Sequence, residues 1–317
     1  MKNFSIFILF IIAVEFYSCD VALNPNAPFR QRYALTGIMR NDTSVQIVTL
    51  TKSYQPSDGL NPLTNTTDPA VIGAEVNMWY RDTLYELRDT TIARTDTSQY
   101  KDSVHFYYIK NLQPQPGEYI DIEALLPNGL LLQSTTQLPD AESYGFFNSD
   151  DDRTIPPADG RNYIHVGWQQ FPNILYQPKI VITYYVKGDT TKQEKEVPLY
   201  YENINGSSTP IYPTQTKITF VDIDLGTINR ALNEIPQGNN DKLQYTIANI
   251  DVQMIVYDET LTTYYSSLQT GVDAFTVRLD QPDFSNISGG YGMFGSYVRQ
   301  DFYIKFTADY LKALGYY

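Results

Sequence analysis

Cysteine is almost absent from the chain, since Cys19 is the single one among 317 residues. One cysteine has no partner within the chain, so no intramolecular disulfide can stabilise the fold. A chain of this length must then be held together by apolar cores alone, and the length suggests two domains.

Histidine is also scarce, because only His105 and His165 are present. Each lies in an alternating, strand-like pattern, which favours a half-buried structural histidine over a catalytic one. A Ser-His-Asp triad and a four-ligand zinc site are therefore not expected, and no Gly-x-Ser-x-Gly motif occurs. Nothing in the spacing of the many carboxylates singles out a pair for glycoside hydrolysis.

The acidic run Asp150-Asp151-Asp152 is the only candidate for calcium. It lacks the glycine and the distal glutamate of an EF-hand loop, so it is interpreted as a solvated run. We predict a protein that is not an enzyme and that uses no cofactor and no metal.

Positive charge is in deficit, because 23 Lys and Arg stand against 36 Asp and Glu, a net charge of −13. Nucleic-acid binding needs clustered Lys and Arg for contacts with phosphates. The composition therefore argues against a nucleic-acid partner.

The apolar run at residues 6–14 is too short to span a bilayer as a permanent anchor. It follows Lys2 and fits the h-region of a signal peptide over residues 1–18. Phe16-Tyr17-Ser18-Cys19 has the form of a relaxed lipobox, which predicts that Cys19 becomes the acylated first residue of the mature protein. The alternative is an ordinary secretory signal in which Cys19 is incidental. Residues 19–28 are predicted to be a tether.

Tyrosine is abundant, with 27 copies beside many Thr and Val, and this composition is typical of strands. Alternation of apolar and polar residues predicts a β-sandwich over residues 29–140 without any helix longer than a turn. Its predicted strands are 33–39, 45–54, 71–80, 83–88, 104–110, 119–125 and 130–136. Pro127-Asn128-Gly129 is predicted to join the last two as a hairpin.

Residues 141–160 are polar and contain prolines, so they are predicted to be a linker. Residues 161–317 are predicted to form a larger, β-rich sandwich domain with short inserted helices. Its predicted strands are 163–171, 179–187, 216–224, 243–257, 274–280 and 297–307. Apolar residues at helical spacing predict a helix over residues 228–235, which Pro236 ends. They predict a second helix over residues 261–268, with Asp258 as its N-cap. A last helical turn is expected at 309–314.

A glycine-rich segment, residues 284–297, combines glycines with apolar side chains, which favours a loop folded onto a core over a flexible linker. Its candidate site residues are Asn286, Ile287, Gly289, Gly290, Tyr291, Gly292, Phe294 and Gly295. We expect the first three of these glycines to adopt backbone angles closed to other residues. Phe294 is expected in the core, with Tyr291 or Met293 nearer the surface. The segment is interpreted either as a lock on the fold or as a partner-binding loop.

Two sets of motifs carry a family resemblance. One is Asn286-Ile-x-Gly-Gly-x-Gly-x-Phe-Gly295; the other comprises Gly73-Ala-Glu-Val76, Leu112-Gln-Pro-Gln-Pro-Gly117-Glu-Tyr119 and Pro127-Asn-Gly129. Together they resemble the domain-of-unknown-function 4249 family, lipoproteins of the Bacteroidetes cell envelope, over nearly all of the mature chain. The resemblance implies an N-terminal transthyretin-like/Ig-like β-sandwich followed by a larger β-rich half. It also implies an association with TonB-dependent outer-membrane receptors.

These expectations describe an outer-membrane protein that is lipid-anchored through Cys19, on a membrane face that the sequence leaves open. Its predicted role is binding, as an accessory to a TonB-dependent receptor in nutrient capture or receptor assembly. One alternative is a pilin-like structural subunit, since Arg40 and two further arginines near the first strand could be sites of processing that frees a strand. Another is a glycan-binding surface lipoprotein that uses Trp79 and Trp168, although their positions in strands favour the core.

Overall fold

The structure is a computed structural model that describes residues 29–55, 61, 64–142, 145–236, 241–269 and 284–316. The signal peptide, Cys19, the tether and the predicted strand 274–280 lie outside these residues. The strands are β1 (Tyr33–Arg40), β2 (Val45–Lys52), β3 (Glu75–Tyr80), β4 (Thr83–Glu86), β5 (Arg88–Ile92), β6 (Val104–Lys110), β7 (Tyr119–Leu125), β8 (Leu131–Gln137), β9 (Thr154–Ile155), β10 (Tyr163–Gly167), β11 (Tyr176–Val186), β12 (Gln193–Glu196), β13 (Tyr200–Ile204), β14 (Ser207–Ile211), β15 (Phe220–Asp224), β16 (Tyr245–Tyr257) and β17 (Tyr291–Phe306). The helices are α1 (Leu225–Glu234), α2 (Glu259–Gln269) and α3 (Ala308–Ala313). The predicted all-β class with short helices is confirmed.

A nine-stranded sheet contains both the first and the last strand of the described residues. Its strands run in the order β12-β11-β16-β17-β1-β2-β6-β5, and β9 pairs with the end of β17. β1 is parallel to β17 and antiparallel to β2, so the first and last strands in the described ranges are neighbours. β17 is 16 residues long, which allows β1 to pair along its first half and β16 along its second. The predicted linker 141–160 therefore does not separate two sheets.

A second, four-stranded antiparallel sheet has the order β4-β3-β7-β8. In β7, Ile120, Ile122 and Ala124 are buried while the alternate residues face outward, as the period of two requires. The predicted hairpin between β7 and β8 is confirmed, since the two strands pair over seven residues each. Gly129 has a φ of +83°, the left-handed conformation that this tight connection needs.

The helices are short, and α1 and α2 begin at acidic caps. Asp224 Oδ1 accepts hydrogen bonds from the Gly226 and Thr227 N–H groups at the start of α1, at 2.7 and 3.2 Å. Asp258 accepts from the Leu261 N–H at the start of α2, at 2.7 Å, which confirms its predicted role as an N-cap. None of the helices in the described ranges is long and apolar enough to cross a membrane.

One contiguous apolar core contains the inward residues of both sheets, among them Met78 of β3, Ile122 of β7, Leu35 of β1 and Ile250 of β16. The segment 141–160, predicted to be a polar linker, also contributes to this core through residues such as Phe146. Its backbone pairs with β17 through β9. A few well-placed apolar residues thus anchor a stretch whose average composition is polar, and the domain boundary at 141–160 stays a prediction.

The last strand begins earlier than the sequence predicts. The predicted loop reaches residue 297, but β17 already begins at Tyr291 and runs through Gly292 and Gly295. The backbone of these residues finds hydrogen-bonding partners in β1. Glycine in this stretch therefore allows close approach of neighbouring chain segments inside a strand, rather than forming a loop.

Candidate functional site

The glycines of the segment 284–297 lie where other backbone comes very close. At Gly292, with a φ of +110°, an added Cβ would overlap the Leu35 carbonyl oxygen. Gly289, with a φ of +80°, has the same relation to the Leu131 carbonyl. At both positions the sequence prediction of a conformation that favours glycine is confirmed.

For Gly290 that prediction is wrong, because its φ angle is not positive. Glycine is required there for space, since an added Cβ would lie 2.8 Å from the Tyr33 carbonyl oxygen and 2.6 Å from Leu132 Cδ2. At Gly295 an added Cβ would lie 2.8 Å from Leu261 Cγ, so α2 packs directly on the strand there.

The apolar side chains of the segment are largely buried. Phe294 is 0 % exposed, as predicted, and its ring lies beside Gly37 on the neighbouring strand β1. Ile287 is buried in the same core, and Met293 is buried in a smaller cluster beneath α2. Tyr291 is the exposed one, at 37 %, with the Arg32 guanidinium 4.9 Å from its ring centroid.

Asn286 and Ser288 extend the four-stranded sheet at its β8 edge. The Asn286 side-chain amide donates to the Phe294 carbonyl at 2.7 Å, and the Phe294 N–H donates to Asn286 Oδ1 at 2.9 Å. The Ser288 and Gln133 backbones exchange hydrogen bonds of 2.8 and 3.1 Å. Residues 286 and 288 are thus hydrogen-bonded to β8 on one side and to β17 on the other.

An open cavity of about 490 Å³ lies between this segment and the outward face of the four-stranded sheet. We call it the Trp79 cavity. Its outward-facing lining residues are Trp79, Asp121, Glu123, Gln133, Thr135, Asn286 and Ser288. Of the predicted site residues, Asn286 therefore lines the cavity, whereas the glycines and Phe294 are not among its lining residues.

Trp79 faces this cavity because of the two-residue period of β3. Its neighbours Met78 and Tyr80 are buried, which turns the half-buried indole to the opposite face of the sheet. The expectation of a core position is therefore wrong for Trp79. It is confirmed for Trp168, which is only 3 % exposed.

The cavity carries negative charge without a neighbouring cation. Asp121 accepts a hydrogen bond from the Thr135 hydroxyl at 2.5 Å, and Glu123 accepts one from Gln133 Nε2 at 2.5 Å. In the described part of the chain, neither carboxylate has a Lys or Arg nitrogen within 4.0 Å. Both acceptors keep lone pairs that a ligand in the cavity can use.

A second cavity, of about 390 Å³, lies beside the buried carboxyl of Asp258. That carboxyl accepts from the Thr136 hydroxyl at 2.6 Å, the Ser296 N–H at 2.8 Å and the Leu261 N–H at 2.7 Å. Burial raises the pKa of Asp258 above its usual range, although these hydrogen bonds act in the opposite direction. The network joins β8, β17 and α2, so its function is structural.

The two histidines lie apart, one in each of two different sheets. His105 is buried and paired with Asp89, whereas His165 Nδ1 lies 2.7 Å from Asp222 Oδ1 on the β10–β15 ribbon. The Asp222 side chain is half exposed. Across the described ranges, no group of three or more His, Cys, Asp and Glu side chains is placed to hold a metal ion.

The acidic run at 150–152 is not the solvated run that the sequence predicts. Asp151 is buried and accepts the Gly167 N–H at 2.9 Å, and burial raises the pKa of its carboxyl. Asp152 accepts from the His165 N–H at 2.8 Å and from Arg161 at 2.7 Å. The run holds the segment against β10, which local composition does not reveal.

Sequence reasoning named Trp79 only for the alternative of glycan binding, and it missed the carboxylates that line the same cavity. The signal was present in the alternation of residues 75–80, where two large apolar neighbours leave the indole on the other face. The proximity of Asn286 to this face could not be read in the same way, because it depends on pairing between residues 133 and 288. Cys19, the predicted lipidation site, lies outside the described residues.

Comparisons with protein-family models and with curated protein sequences found no match for this chain. The family resemblance of its motifs therefore stays a prediction.

Proposed function

We propose that this protein is a cell-envelope lipoprotein that acts by binding, as an accessory to a TonB-dependent outer-membrane receptor. The observation that carries the binding role is the open Trp79 cavity, where an indole and two carboxylates without a cation line the same space. The receptor as partner rests on the family resemblance of the motifs, which is an argument by analogy.

The cavity has physical features that suit recognition. Trp79 lies on a strand that is paired on both sides, so the indole is presented by a rigid sheet and loses little freedom on binding. Tryptophan is also among the residues that contribute most to binding energy at protein interfaces. A lipid anchor would add to this by raising the effective concentration of the cavity near a membrane partner.

The anchor is tested with Cys19→Ala in the full chain. We expect metabolic labelling with a fatty acid to mark the wild type alone, and the variant to leave the membrane fraction. A wild-type protein without label would contradict lipidation, and the binding role would then belong to a secreted protein.

The partner is tested by capturing the tagged full chain from detergent-solubilised outer membranes. We expect a TonB-dependent receptor to co-purify with the wild type. The amount of captured receptor should fall roughly tenfold or more with Trp79→Leu, which is the effect expected for the loss of a central aromatic contact. Tyr200→Leu removes an exposed aromatic residue elsewhere and serves as the control. Failure to enrich any outer-membrane protein with the wild type would overturn the accessory role.

A second candidate is glycan binding, which the outward position of Trp79 favours. An indole beside the Gln133 amide and two carboxylates offers a stacking surface and hydrogen-bonding groups for a sugar. Affinity electrophoresis in gels that contain soluble polysaccharides tests this function. Retardation of the wild type, with normal mobility of Trp79→Leu, would support it.

A further inference from the structure

We propose that the Trp79 cavity receives a lysine or arginine side chain from a basic segment of a protein partner. The inference rests on the proposed function, because it names the chemistry by which the cavity recognises its partner. It is carried by the position of the indole relative to two carboxylates and by the charge of the surrounding face.

The indole and the carboxylates are spaced for a single cation. Trp79 and Asp121 are direct cross-strand partners in β3 and β7, and such side chains start about 5 Å apart. Glu123 follows two residues along the same face of β7, about 7 Å further on. An ammonium or guanidinium group within about 6 Å of the indole centroid makes a cation–π contact in the same cavity that the two carboxylates line.

The charge of the whole outward face has the same sign. Its residues on β3, β4 and β7 include four carboxylates, from Glu75, Glu86, Asp121 and Glu123, and the outward positions of the four strands carry no Lys or Arg. A positively charged ligand is attracted to this face, and an anionic one is repelled.

The face also extends beyond the cavity, which favours a peptide segment over a small free amine. Leu84, Leu125 and Leu131 are exposed on the same face, at 55, 43 and 40 %. A free amine would fill the cavity and leave these apolar residues in water. A segment of a protein partner can place one cationic side chain in the cavity and cover the neighbouring leucines with its other side chains.

The inference is tested by isothermal titration calorimetry with two short, capped peptides. The full chain is kept in detergent, at a temperature below its melting temperature. One alternates Arg with Leu, and the other carries the neutral isostere citrulline in place of Arg. We expect only the Arg peptide to bind, with an affinity that falls as salt is raised from about 50 to 500 mM. Free arginine at the same concentration is expected to bind more weakly.

Paired variants keep the test specific. Asp121→Asn with Glu123→Gln, and separately Trp79→Leu, should each weaken binding of the Arg peptide roughly tenfold or more. Glu142→Gln with Glu202→Gln removes two exposed carboxylates elsewhere, changes the net charge equally, and should leave binding unchanged. Circular dichroism of each variant verifies that it is folded.

Several results would overturn the inference. One is that the citrulline peptide binds as tightly as the Arg peptide. Another is that the control pair of variants weakens binding as much as the cavity variants do. A third is that the Arg peptide does not bind at a concentration of about 1 mM. Preferential binding of free arginine would assign the cavity to a small ligand, and gel retardation by a neutral glycan through Trp79 would assign it to sugars. If the receptor still co-purifies through Trp79 while neutralising the carboxylates has no effect, the proposed function stands and the cationic partner is wrong.

Discussion

Gly292 and Phe294 lie two positions apart in β17 and have opposite requirements for space. At Gly292 the Leu35 carbonyl leaves no room for a side chain. At Phe294 the large ring is accommodated because its neighbour in β1 is Gly37, where an added Cβ would lie 3.1 Å from the ring. Each glycine thus makes room for a specific neighbour, and the parallel pairing of β1 with β17 depends on both.

The requirement at Gly292 is tested by Gly292→Ala. We expect it to lower the free energy of unfolding by about 3 kcal/mol or more, because steric overlap adds to a strained φ. Gly73→Ala is the matched control, since Gly73 has a φ of +74° but no atom within 4 Å of an added Cβ. That control should cost only about 1–2 kcal/mol from backbone strain. Equal losses in urea denaturation would show that close approach at Gly292 does not matter.

The requirement at Phe294 is tested by Phe294→Ala, which should cost about 3–5 kcal/mol through the cavity that it leaves in the core. Tyr291→Ala, three residues earlier in the same strand, removes an exposed ring and should cost about 1 kcal/mol or less. The measurement is again the free energy of unfolding in urea. A small effect of Phe294→Ala would mean that the ring does not support the core.

At the scale of secondary-structure elements, the buried carboxyl of Asp258 connects three of them. It caps α2, accepts the Ser296 N–H of β17 and binds the Thr136 hydroxyl of β8. The Ser296 hydroxyl completes the network by donating to the Gln137 carbonyl at 2.9 Å. The contact between the two sheets is therefore polar at this point, within an otherwise apolar interface.

Asp258→Asn tests this network and its dependence on pH. The amide offers one oxygen where the carboxylate offers two, so a buried N–H loses its acceptor and about 1–3 kcal/mol of stability is lost. Because burial raises the pKa of Asp258 above its usual 3.8, the folded state binds this proton more tightly than the unfolded state. The contribution of this proton to stability is present below pH 3.8 and is lost as pH rises through the folded pKa.

The stability difference between wild type and Asp258→Asn should therefore shrink as the pH rises above about 4, and become constant above the folded pKa. Urea denaturation at a series of pH values measures it. Glu202→Gln, which changes an exposed carboxyl in β13, is the control variant. A difference that grows with pH would contradict the raised pKa.

At the scale of the whole molecule, strands from both halves of the chain form one sheet, because β1 pairs with β17. β1 and β17 pair although about 250 residues separate them in sequence, and Ala141, Phe146 and Ile155 of the segment 141–160 are buried in the shared core. The core contains inward residues from both sides of this segment. The nine-stranded sheet and the apolar core are both incomplete in either half alone.

Division of the chain at residue 140 tests this dependence. We expect residues 29–140 and 141–317, expressed separately, to lack a cooperative thermal transition, because each exposes an unpaired edge of the large sheet and part of the core. Co-expression of the two fragments should restore a soluble complex. Two fragments that each unfold cooperatively at the melting temperature of the intact chain would show that the halves are independent domains.

Local pattern was sufficient for much of the secondary structure. Alternation predicted β7 and β8, the turn at 127–129 predicted their hairpin, and the position of Asp258 predicted the cap of α2. These features depend on residues that are neighbours in sequence, so their side-chain chemistry is visible in a short window. The same holds for Gly289 and Gly292, where a run of glycines marks backbone that other residues cannot adopt.

The tertiary structure alone decided which strands became neighbours and which faces stayed open. The pairing of β1 with β17, the burial of Phe146 in a polar stretch and the meeting of Asn286 with Trp79 all join residues that are far apart in sequence. No short window contains both partners of such a contact, and its stability comes from apolar area summed over many residues. The local sequence therefore determined strands such as β7 and β8, whereas the long-range pairing of strands determined the cavity.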